Sequence, residues 1–194
     1  TISVVDQVPT SLTISPENTT ATNNTAITSI VITPNGPGDI VTWELEGTLP
    51  NGLTWTSANQ TIWGTPTELM PTTQYTIWAN NSGGSQSVSF TIEVVDDPPI
   101  IEYVEEEFVL YSNVTEVSIE AISSGGDVIG FSVSPELDNG LQFSVANGTI
   151  WGIPNATHER ITFTVTATNS GGSATTTVTI EIIVAAPSGV TFTP

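Results

Sequence analysis

The sequence predicts an all-β chain of two tandem β-sandwich domains, and three observations carry that prediction. Patterned segments alternate apolar and polar residues at period two, as half-buried strands do. Turn residues recur every ~8–12 residues, the spacing of short antiparallel strands. The chain also matches itself at a shift of 88 residues. In that register Gly38-Asp39-Ile40-Val41 meets Gly126-Asp127-Val128-Ile129, and Asn51-Gly52-Leu53 meets Asn139-Gly140-Leu141. Further along, Thr61-Ile62-Trp63-Gly64-Thr65-Pro66 meets Thr149-Ile150-Trp151-Gly152-Ile153-Pro154, and Asn81-Ser82-Gly83-Gly84-Ser85 meets Asn169-Ser170-Gly171-Gly172-Ser173. Four blocks in one register define two homologous repeats.

The elements follow in chain order. Residues 1–6, Thr-Ile-Ser-Val-Val-Asp, resemble 91–96, Thr-Ile-Glu-Val-Val-Asp, which close the first repeat, and 179–183, which close the second. Residues 9–16 resemble 187–194 at an offset of 178. The expected organisation is therefore a closing strand of a preceding repeat at 1–8, repeat 1 at 9–97, repeat 2 at 98–186, and the first strand of a following repeat at 187–194. Next come Val41, Trp43 and Leu45, alternating with Thr42 and Glu44 and matched by Ile129, Phe131 and Val133; parity places these in the core together with Trp55. Tyr75, Ile77 and Ala79 alternate in the same way and are matched by Phe163, Val165 and Ala167. Phe90, Ile92 and Val94 close the first repeat; Val178, Ile180 and Ile182 close the second. Asn-Gly at 51–52, 139–140 and 147–148, and Gly-Gly at 83–84 and 171–172, supply the positive-φ positions of tight turns. No segment sustains a helical period. A repeat of 88 residues suits a seven-stranded immunoglobulin-like or cadherin-like sandwich.

The end matches leave two readings: a window out of a long tandem array, or terminal strands exchanged between subunits of a filament. Either way Ile2, Val4, Val190 and Phe192 are the expected contacts with a neighbouring repeat or copy.

Composition narrows the function. The chain carries 20 Asp plus Glu, one Arg, no Lys and a formal net charge of −19. Phosphate binding needs clustered cations, so nucleic acid is not an expected partner, nor is an anionic membrane surface. Only 11% of residues are charged while 38% are hydrophobic, and 33 are Thr, which describes a folded β chain under a hydroxyl-rich surface rather than a disordered acidic tail. There is no Cys, hence no disulfide framework and no thiolate metal site. No run of ~18 apolar residues occurs to span a bilayer.

The blocks Leu49-Pro50-Asn51-Gly52-Leu53, Ile62-Trp63-Gly64-Thr65-Pro66, Tyr75-Thr76-Ile77 and Asn81-Ser82-Gly83-Gly84-Ser85 together resemble the immunoglobulin-like repeats of bacterial and archaeal surface proteins, akin to cadherin-like domains of the dystroglycan type. The second repeat departs at Leu137-Asp138, where Pro is missing, and at Ile153, where Thr is usual. The resemblance implies tandem sandwiches in large secreted or surface-anchored proteins, acting as spacers, adhesins or layer components, and it implies no catalytic residues.

Candidate sites are few. His158, beside Glu159 and Arg160, is the lone His and reads as an exposed loop residue ahead of a strand. No Ser or Thr sits in a motif with a base, so nucleophilic catalysis finds no support. An intramolecular isopeptide crosslink would need a Lys. Carboxylates gather at one junction: Asp96-Asp97-Pro98-Pro99, then Glu102 and Glu105-Glu106-Glu107. Cadherin-type linkers hold Ca²⁺ with such segments, which makes Asp96, Asp97, Glu102 and Glu105 candidate Ca²⁺ ligands; the other reading is a solvated acidic linker. Seven Asn-X-Ser/Thr sequons occur, at Asn18, Asn23, Asn59, Asn80, Asn113, Asn147 and Asn155, and are candidate glycosylation sites in an exported protein. Trp63, Trp78 and Trp151 each adjoin a core-facing Ile, so alternation points them outward, either to pack on a neighbouring strand or to meet a glycan, a ligand or the next domain.

The expected function is a non-enzymatic extracellular or cell-surface structural segment. It would build a fibre, stalk, sheath or surface layer by head-to-tail stacking of sandwiches with neighbouring copies or repeats of itself. The alternative is an adhesin segment that binds carbohydrate or protein through loops and exposed Trp.

Overall fold

The computed structural model describes residue 2 and residues 4–186. The chain divides into two compact units, Thr1–Asp96 and Asp97–Pro194. Each is an all-β sandwich, and the described residues contain no helix.

In the first unit one sheet holds β1 (Ser11–Ser15), β3 (Ile30–Asn35), β6 (Thr61–Gly64) and β5 (Leu53–Thr56) in that order. The facing sheet holds β2 (Asn18–Thr22), β8 (Gly84–Val95), β7 (Met70–Asn81) and β4 (Thr42–Glu46). The first strand of the domain therefore switches sheets. β1 runs antiparallel to β3, and after two residues β2 runs parallel to β8 at the other edge. Such a switch closes one side of a sandwich without a further strand.

Period-two burial makes the core. Tyr75, Ile77 and Ala79 of β7 and Phe90, Ile92 and Val94 of β8 are buried, while their chain neighbours face solvent or the sheet rim. Across the sandwich lie Ile30, Ile32, Leu53 and Ile62. Tyr75 and Phe90 stack with ring centroids 5.4 Å apart. On the side opposite the sheet switch, Trp43 of β4 and Trp55 of β5 meet edge to face at 6.3 Å and cover the gap between the two sheets.

The second unit repeats this plan. β10 (Glu107–Tyr111), β17 (Gly172–Ile183), β16 (His158–Asn169) and β13 (Gly130–Ser134) form one sheet, with β10 parallel to β17. The facing layer is split. β9 (Pro99–Tyr103) pairs β12 (Ala121–Gly125), and β11 (Val117–Ile119) pairs β15 (Ile150–Gly152), which pairs β14 (Leu141–Phe143). The counterpart of β3 is thus interrupted at Glu120. Its core is built on Phe163, Val165, Ala167, Val178, Ile180 and Ile182.

Three sequence expectations are corrected. Val41 and Ile129 were assigned to the core by parity, yet they are 69% and 79% exposed. Ladder pairing begins one residue later, at Thr42 and Gly130. Their N–H groups still reach the Asn80 and Thr168 carbonyls at 2.9 Å, but outside the ladder the alternation no longer fixes the side chain. The third is His158, which is not an exposed loop residue: it opens β16, half-buried, at a bulge opposite Ile182.

Candidate functional site

The repeated sequence blocks meet in space, and each pair of blocks makes one fastening. Asn81 ends β7 and Gly84 opens β8, with only Ser82-Gly83 between them. The Gly83 and Gly84 N–H groups donate to Asn81 Oδ1 at 2.8 and 3.1 Å, which orients the amide. Its Nδ2 then donates to the carbonyls of Gln7, at 2.7 Å, and Asp39, at 2.9 Å. The Asp6 N–H donates to Ser82 Oγ, whose hydroxyl donates to the Asp6 carboxylate at 2.8 Å. One side chain thus ties the turn of β7–β8, the loop before β4 and the segment leading into the domain. The second unit repeats the turn and the tie to the incoming segment: Gly171 and Gly172 donate to Asn169 Oδ1 at 2.8 and 3.1 Å, and Asn169 Nδ2 donates to the Asp97 carbonyl at 2.6 Å.

The other two blocks lock the β5–β6 corner. Leu53 pairs with Gly64, and the Thr65 N–H donates to the Gly52 carbonyl at 3.1 Å. Gly52 has φ +90°, and a Cβ there would overlap the Thr65 carbonyl oxygen; a Cβ at Gly64 would overlap the Gly52 carbonyl oxygen. Gly140 and Gly152 reproduce the contact in the second unit. The Asn-Gly-Leu and Trp-Gly-x-Pro blocks recur together because neither backbone can approach the other with a side chain between.

The outward Trp residues differ in what holds them. Trp63 donates from Nε1 to Thr56 Oγ1 at 3.0 Å. Trp151 stands across from Ser118 and Gln142 on β15. Trp78 donates from Nε1 to the Glu46 carboxylate at 3.2 Å and faces Glu44 directly across the β4–β7 ladder. All three residues are exposed by more than a third.

Other candidate residues are dispersed. Among the described residues no three His, Asp or Glu side chains are grouped to hold a metal ion. Glu102 lies on β9 opposite Ile122, and Glu105 follows β9 as an exposed residue. Asp97 supplies its carbonyl to Asn169, and Asp96 ends the first unit. Arg160 pairs with Glu107 at 2.9 Å on the open surface, a contact worth ~0–1 kcal/mol. His158 Nδ1 is 2.6 Å from the Glu159 carbonyl, which places the proton there, and its Nε2 is buried. Of the sequon residues, Asn18, Asn59, Asn113, Asn147 and Asn155 are exposed. Asn18 accepts from Thr91 Oγ1 at 2.7 Å, Asn80 is half-buried in β7, and Asn23 has its Oδ1 buried. Ile2 and Val4 are exposed and outside any strand, whereas Val190 and Phe192 lie outside the described residues.

Comparison with known families settles what the repeats are. The sequence model of the family described as "Putative Ig domain" matches residues 8–95 and again residues 98–184. The chain belongs to this family. Each of its two Ig domains carries both fastenings.

Among curated proteins the chain is 31% identical, over 150 residues, to a "Serine-rich adhesin for platelets" of Staphylococcus aureus strain MRSA252, a match covering 76% of this chain and 11% of the relative. The protein of the same name from strain USA300 is 30% identical over 155 residues, covering 79% of this chain and 7% of the relative. The chain thus spans a small fraction of the curated relatives it matches. Among solved structures, "Drosophila OTK, extracellular domains 3-5" superposes with a TM-score of 0.53 at 18% identity, over 89% of this chain and 62% of that one. "Sidekick-1 immunoglobulin domains 1-4" gives 0.50 at 12% identity, over 89% and 48%. At such identities these two show the Ig fold alone.

In the sequence the Asn-Ser-Gly-Gly block marks the repeat and supplies turn glycines, without showing the tie. The signal for the tie was the Asn itself, since an Asn ahead of two Gly offers an acceptor to the turn and keeps its two N–H donors for another segment. Glu44 and Glu46 were missed because the alternation shows which face they share but not which residues stand opposite.

Proposed function

We propose that this chain is a non-enzymatic, extracellular repeat segment of a surface adhesin-type protein, serving as a spacer. The observation that carries the reading is what the repeated residues do: the Asn and Gly blocks shared by the two Ig domains fasten each unit's own backbone. Asn81 and Asn169 tie the incoming segment, and the Gly52–Gly64 and Gly140–Gly152 contacts lock a corner. Residues repeated for chemistry would converge on a common cleft; these secure the geometry of each unit. The family match and the likeness to surface adhesins support the same reading. A net charge of −19 with no Lys suits a chain kept dispersed outside the cell.

The test is made in the parent surface protein. Deleting both Ig domains should bring an antibody-labelled site beyond them measurably closer to the cell envelope in electron micrographs. An unchanged distance, or label confined to the cytosol, would overturn the spacer reading.

A further inference from the structure

The two Ig domains serve as controls for one another. Trp63 and Trp151 occupy the same place in both repeats, as a residue needed by the fold would. Trp78 does not: its counterpart at the 88-residue shift is Thr166. The two carboxylates beside it change as well, Glu44 to Ser132 and Glu46 to Ser134. The pairing is the same in both units, with Trp78 between Glu44 and Ser87, and Thr166 between Ser132 and Thr175. One coherent set of three residues on one face therefore separates the domains. The fold does not require it, because the second domain forms the same sheet without it.

The chemistry of the set is specific. The exposed indole gives its N–H to the Glu46 carboxylate at 3.2 Å, which fixes the ring and, through a charged acceptor, enriches its π face. Glu44 is directly opposite Trp78 on the neighbouring strand, at the cross-strand position where Cβ atoms stand ~5 Å apart, within reach of a long side chain. Trp78 stands across from Ser87, and the neighbouring pair on the same face is Thr76 and Ser89, all short hydroxyl side chains. Residues 1–96 hold eight carboxylates and not one Lys, Arg or His, so no cationic side chain of this domain can neutralise the pair. An electron-rich aromatic platform flanked by unneutralised carboxylates is complementary to a guanidinium or ammonium group.

We infer that the outer face of β4, β7 and β8 in the first Ig domain docks a basic segment of a partner protein, with an Arg or Lys side chain stacked on Trp78 and paired with Glu44 and Glu46. The chain's own overall acidity would steer such a partner, and the three-residue set would anchor it. This goes beyond the spacer role and does not rest on it.

The experiment titrates the full chain with an Arg-Ser repeat octapeptide in 150 mM NaCl, following the indole N–H resonances by NMR. The Trp78 resonance, assigned by its disappearance in W78F, should shift and saturate. Exchanging the set for its counterparts (E44S, E46S and W78T together) should weaken binding at least tenfold while leaving thermal unfolding little changed, since the second domain carries those residues already. The reverse graft (S132E, S134E and T166W) should create a second site of similar affinity. If the triple exchange leaves affinity unchanged, diffuse acidity accounts for the binding and the proposal fails. It also fails if the octapeptide does not bind, or if Trp78 responds to neutral oligosaccharides and not to the peptide.

Discussion

Asn81 and Asn169 each satisfy two turn N–H groups and then bind the carbonyl of a segment more than seventy residues away. No aliphatic residue can do both, and Asp can only accept. Replacing Asn169 by Ala removes three hydrogen bonds at a partly exposed site, for an expected loss of ~1–3 kcal/mol. Chemical denaturation should show that loss, and N169D should recover part of it by restoring the acceptor alone. Tyr103 makes a second test at this level. It is buried on β9, its hydroxyl donates to the Gly148 carbonyl at 2.6 Å, and burial pushes its pKa up to about 12. The folded domain therefore holds this proton more tightly than the unfolded chain, in which it leaves near pH ~10. The stabilisation is full below that pH and is lost as pH rises from there through about 12. Unfolding followed across pH 9–12 should show the decline, and Y103F should flatten it.

The long hairpins β7–β8 and β16–β17 supply a large share of each core, and the residues buried along their paired stretches are all hydrophobic. Ile180 and its counterpart Ile92 are fully buried and sit in separate clusters, one in each domain. Truncating Ile180 to Ala should cost ~2–5 kcal/mol in the second domain, since the sheets can close over the void only partly. The first domain's transition should remain in place, splitting the denaturation profile. A single transition that moves as a whole would show instead that the two cores unfold as one. The edge strands tell a different story. β4 presents Glu44 and Glu46 beside a free edge, a placement that also discourages pairing with another sheet.

A net charge of −19 bears on the entire chain. With one cation among 20 carboxylates, repulsion is relieved by unfolding, and salt screens it over ~8 Å at physiological strength. The unfolding midpoint should therefore rise with NaCl, and a flat or falling curve would mean that self-repulsion contributes little. The same acidity underlies the proposed basic partner of the first domain, whose binding should weaken as that salt rises. The two effects can be read in one titration series.

The amino-acid order was enough to set the all-β class, the two repeats and the inward residues of the long hairpins. Period-two burial and turn glycines are local properties that act wherever a strand is half-buried. Parity failed at Val41 and Ile129, because it holds only while a ladder constrains the backbone, and where a ladder starts depends on the partner strand. It failed for His158, where a bulge opposite Ile182 draws the residue into β16. That Asn81 reaches Gln7, that Gly52 backs onto Thr65, and that Glu44 faces Trp78 were beyond it too. Each joins positions brought together by strand order and register, and those are chosen by the packing of two sheets as a whole rather than by any run of neighbouring residues.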